Sequence, residues 1–112
     1  MYIMIIVLKN EKLLKKLVST LIEFELYDCT VLDGEGIENV AAQTVPLYSA
    51  VEGLFGKELV YNKTCICYVP DFDIIQRFEK VCKKDGIDFS EKNTGMLMAF
   101  PCAYYIGPKE KE

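Results

Sequence analysis

The side chains able to do chemistry are cysteines and carboxylates. Cys65 and Cys67 lie two residues apart in KTCICYVPDF, so on a strand both thiols point to one face. Two thiolates so placed can begin a soft-metal site, but a structural zinc site usually takes four ligands and spaces paired cysteines more widely. Cys29, Cys82 and Cys102 are scattered along the chain. Cysteine is also among the most buried residue types and packs as a small hydrophobe. The pair is therefore read as core or interface, and no metal ligand is assigned. Of the close carboxylate pairs, Asp71/Asp73 reads as a helix cap and Asp33/Glu35 as a solvated turn.

The chain has no histidine. That removes Ser-His-Asp and Cys-His catalysis, histidine-based zinc sites and histidine pH switching together. An enzyme would have to use carboxylates, lysines or thiolates alone, so the expectation is a protein that is not an enzyme, with no catalytic residue.

These residues need elements to position them. YIMIIVL, residues 2–8, is a continuous apolar run suited to a strand covered on both faces. Leu13, Leu14, Leu17, Val18, Leu21 and Ile22 then follow helical spacing with lysines on the other face, and Asn10 is a candidate N-cap, which predicts a helix over about 11–25. A second strand is expected over about 27–33, stopped by Gly34 and Gly36. Residues 37–62 read as a long loop, broken by Pro46, Gly53 and Gly56, in which LYSAVEGLF can form a short helix. A third strand over 63–69 ends at Pro70. Asp71 caps a second helix carrying Ile74, Ile75, Phe78, Val81 and Cys82, and Gly86 terminates it. MLMAF, 96–100, is the fourth strand, and 108–112 is a charged tail.

The order β-α-β-β-α-β predicts one α+β domain over 1–112. It would be ferredoxin-like, a four-stranded antiparallel sheet with two helices on one face and a long loop between strands two and three. Two helices cover one side of a sheet, yet strands one, three and four are apolar on both. The bare side calls for other copies of the chain. The net charge of −4 and the lack of a basic stripe argue against nucleic acid. No run is long enough to span a bilayer and no export signal is recognised, so a cytoplasmic protein with reduced thiols is expected.

The order and spacing of these features resemble the PII-like superfamily of signalling proteins over about residues 2–107. The resemblance rests on the apolar first strand, the lysine-rich helix and the Gly34-x-Gly36 strand end. It continues through the long loop with Leu47-Tyr48, Val69-Pro70-Asp71, and the last strand ending in Pro101. It implies a cytoplasmic homotrimer that binds a nucleotide between subunits. Gly34, Gly36 and Ile37 would form one wall, and Asp85, Gly86, Lys92, Asn93, Thr94 and Gly95 the phosphate-side loop. Residues 37–62 would report to a regulated protein partner, with Tyr48, Leu54 and Phe55 as contact or modification residues. Met96 replaces the family lysine, Glu38 the glutamine used with magnesium and 2-oxoglutarate, and CAYYIGPK has no arginine. With one lysine among aspartates, the implied effector is an adenine nucleotide of low charge or a related metabolite. The alternative is a CutA-like trimer linked to divalent metals or thiols, suggested by the five cysteines.

Overall fold

A computed structural model describes residues 1–44 and 61–108. The elements are β1 (Tyr2–Leu8), a 3₁₀ turn (Glu11–Leu13), α1 (Leu14–Glu23), β2 (Cys29–Glu35), α2 (Ile37–Thr44), β3 (Tyr61–Val69), α3 (Phe72–Lys84) and β4 (Gly95–Pro101). The strands form one antiparallel sheet in the order β2-β3-β1-β4. This α+β arrangement is compatible with a ferredoxin-like fold.

The apolar runs alternate, as the pleat requires. Met4, Ile6 and Leu8 of β1 and Cys65, Cys67 and Val69 of β3 are buried on one face. Against them pack Leu17 and Leu21 of α1 and Ile75, Phe78 and Cys82 of α3, closing a single core. The opposite face carries Ile66, Met96, Met98 and Phe100, each 41–43% exposed. Among the described residues Tyr105 covers one corner of it, stacking on Tyr68 with ring centroids 4.6 Å apart.

Local signals place the helix ends. Asn10 Oδ1 accepts from the Lys12 amide at 3.1 Å, but it opens the 3₁₀ turn and α1 begins only at Leu14. Asp71 Oδ1 accepts from the Asp73 amide at 3.1 Å and caps α3. Gly86, at φ +94, ends that helix. Its amide reaches the Lys83 carbonyl (3.2 Å) and the Ile87 amide the Cys82 carbonyl (2.8 Å), the double bond of a Schellman termination with Ile87 buried beneath it.

Several boundaries differ from expectation, and β3 already begins at Tyr61. β2 starts and ends two residues later and runs through Gly34, which pairs with Asn62. The segment expected as loop after Gly36 begins with a third helix, α2, with Ile37 and Val40 exposed. Pro101 lies within β4, where an outer strand tolerates its missing N–H. LYSAVEGLF, with Tyr48, Leu54 and Phe55, lies outside the described residues, as does the tail from 109.

Candidate functional site

The residues expected to bind a ligand gather at one end of the domain, in two groups. The first surrounds the end of β2. Gly34 faces Asn62, whose Oδ1 accepts from Thr64 Oγ1 at 3.1 Å, and a Cβ at 34 would run into that amide oxygen. The Gly36 carbonyl starts α2, accepting from the Asn39 and Val40 amides at 3.1 and 3.3 Å. Ile37 follows with 78% of its surface exposed. One rung earlier, Lys63 Nζ donates to the Asp33 carboxylate. That bond holds the lysine above its ordinary value. Asp33 is thus a partner across the sheet rather than a plain turn residue, and Glu35 accepts from the Asn39 side chain.

The second group is the link from α3 to β4. Asp85 closes α3, and its carbonyl accepts from Lys16 Nζ at 3.2 Å. The Ser90 hydroxyl and amide donate to Asp88 at 2.6 and 3.0 Å and hold its carboxyl below the usual value of 3.8. Lys92 is exposed. Asn93 takes a left-handed conformation, φ +69, ahead of the buried Thr94, whose carbonyl accepts from the Lys9 amide at 2.9 Å. Gly95 has φ +137, and a Cβ there would overlap the Val7 carbonyl oxygen.

One chain does not bring these groups together. A single row crosses the sheet from Asp33 through Lys63 and Leu8 to Gly95. Its ends lie on the outer strands, three strand spacings or about 14 Å apart. Two shallow grooves, of ≈ 500 and ≈ 570 Å³, lie elsewhere, along the helix layer. The larger touches the site only at Asp85, beside Lys15, Lys16 and Lys84.

The charge around these groups is mixed and mostly acidic at the link. The link from α3 to β4 carries Asp85, Asp88 and Glu91 against Lys92. The single arginine, Arg77, lies in α3, bound to Asp73 at 2.9 Å and 5.9 Å over the Phe24 ring. Anion recognition here would fall to backbone amides, Lys92 and the Lys16 ammonium beside Asp85.

The thiols form a second concentration of chemistry. Cys29, Cys65 and Cys67 meet on the helix-covered face of β2 and β3. A hydrogen bond with Cys65 lowers the Cys29 pKa, whereas Cys67 and burial raise it, and the net value is pushed up to about 11. Its contact with Cys29, followed by burial, raises Cys65. Burial pushes Cys82 up to about 12. Among the described residues no group of three or more His, Cys, Asp or Glu side chains is arranged to hold a metal ion, and no described helix is long and apolar enough to cross a membrane.

Sequence reasoning missed the Lys63–Asp33 bond and the position of Cys29 opposite Cys67. Both depend on the β2–β3 register, for which the sequence offers no local marker. No family model and no curated protein matches the chain.

Proposed function

We propose that this chain is a non-enzymatic sensor of PII-like type, a cytoplasmic homotrimer of ferredoxin-like subunits. A small metabolite or adenine nucleotide of low charge fills the cleft between copies. Residues 37–62 change conformation with it and report to a protein partner. The effector acts by binding one state of that segment more tightly than the other.

One observation carries the reading. The Gly34–Ile37 and Lys92–Gly95 groups share one end of the sheet but sit on its opposite edges. Either group alone is half a site. A ring of copies that lays the β2 edge of one subunit beside the β4 edge of the next completes it. The bare apolar face supports the same assembly, because an exposed layer containing Ile66, Met96, Met98 and Phe100 is costly to leave in water.

A thermal-shift screen of adenosine, AMP, cyclic AMP, ADP, ATP and common metabolites tests it. At least one compound raises Tm in the wild type and fails to do so in Lys92→Ala. A screen silent for every compound contradicts the reading.

A further inference from the structure

β2 and β3 place a thiol pair where a bond can form. Cys29 stands directly opposite Cys67. On the adjacent rung the Tyr68 amide donates to the Asp28 carbonyl at 3.0 Å. Hydrogen-bonded and non-hydrogen-bonded rungs alternate along an antiparallel pair, so the Cys29–Cys67 rung is of the second kind. Facing Cα atoms there approach to about 4.5 Å, inside the span of about 4.4–6.8 Å that a disulfide bridges. Cys65 is two residues along β3 on the same face, and both β3 thiols are close enough to shift the Cys29 pKa. All are free thiols; Cys29 is half-buried, whereas Cys65 and Cys67 are buried.

We propose that Cys29 and Cys67 are a redox modification site that closes to a reversible cross-strand disulfide by exchange with a low-molecular-weight disulfide. Cys29, the half-buried and more accessible member, is the point of entry. Its thiolate attacks one sulfur of the oxidant, expels one thiol and leaves a mixed disulfide on Cys29. The Cys67 thiolate then attacks the Cys29 sulfur and expels the second thiol. Two protein thiols lose two protons and two electrons, and the oxidant's S–S bond is reduced to two thiols. The bond staples the outer strand β2 to β3, the two strands that flank residues 36–60. It closes the first paired rung of β2, at the other end of the pair from the Glu35–Tyr61 rung beside that segment.

The test uses full-length protein with Cys102→Ser, which removes the other half-exposed thiol. Reduced protein is incubated with excess oxidised glutathione at mildly alkaline pH and examined by intact-mass and non-reducing peptide spectrometry. The expected product is about 2 Da lighter, linked Cys29 to Cys67, and restored by dithiothreitol. Cys65→Ser still forms it, and Cys29→Ser does not. A stable glutathione adduct at Cys29, a Cys29–Cys65 link, or an unchanged mass overturns the proposal. Peptide mapping in the Cys102→Ser background decides the matter even if a second substitution impairs folding.

Discussion

Gly34 and Gly95 occupy the same end of the sheet on its two outer strands, with β3 and β1 between them. Both are glycines because a neighbour takes the space of a Cβ, but the neighbours differ. At Gly34 it is the Asn62 side chain, and at Gly95 it is the Val7 backbone.

That difference predicts unequal costs. Gly95→Ala meets both an unfavourable φ and a fixed carbonyl, so it destabilises by about 3 kcal/mol or more. Gly86→Ala has a comparable φ penalty but open space, its nearest neighbour being Lys16 Nζ at 3.9 Å, and costs only about 1 kcal/mol. Urea denaturation of the two variants gives the comparison. Equal losses would contradict the packing argument.

Gly34→Ala displaces the Asn62 amide from its hydrogen bond with Thr64, a loss of about 1 kcal/mol. In the Asn62→Ala background the same change is nearly neutral. A double-mutant cycle by chemical denaturation reads the coupling, and additive effects would refute it.

Asp88 sets a pH dependence. Its carboxyl is held low by Ser90, so the folded pKa lies below the unfolded value. The stabilisation is complete well above 3.8 and disappears as pH falls through the depressed folded value. Ser90→Ala moves the Asp88 titration back up towards 3.8, measurable by carbonyl NMR. An unmoved titration would sever the link to Ser90.

Thiol reactivity follows from Cys29. With its pKa at about 11, alkylation of Cys29 speeds roughly tenfold per pH unit from pH 7 to 10. The charged form is opposed by Cys67 and burial and favoured by Cys65, the groups that face it from β3. Timed labelling with mass spectrometry reads the slope. A flat profile would mean the thiol is already ionised at neutral pH.

Much of the scaffold was legible because its signals are local. The α3 stripe from Ile74 to Cys82, the Asp71 cap and the Gly86 terminator announce a helix with both ends, and the structure has them there. Helix α2 was missed, since Pro46, Gly53 and Gly56 marked the whole segment as loop. Yet Ile37, Val40, Ala41 and Thr44 stand at helical spacing. The site was legible by half. Positive φ at Gly86 and Gly95 follows from residue type, but the pairing of Asp33 with Lys63 and of Cys29 with Cys67 is a property of register across more than twenty-five intervening residues. No periodicity in either strand specifies it.

Oligomeric mass separates a trimer from a lone subunit. Sedimentation velocity or multi-angle light scattering on the wild type should give three times 12.8 kDa, and Ile66→Asp on the bare face should lower it while leaving far-ultraviolet circular dichroism unchanged. A wild-type particle of 12.8 kDa that persists at high protein concentration would contradict the account.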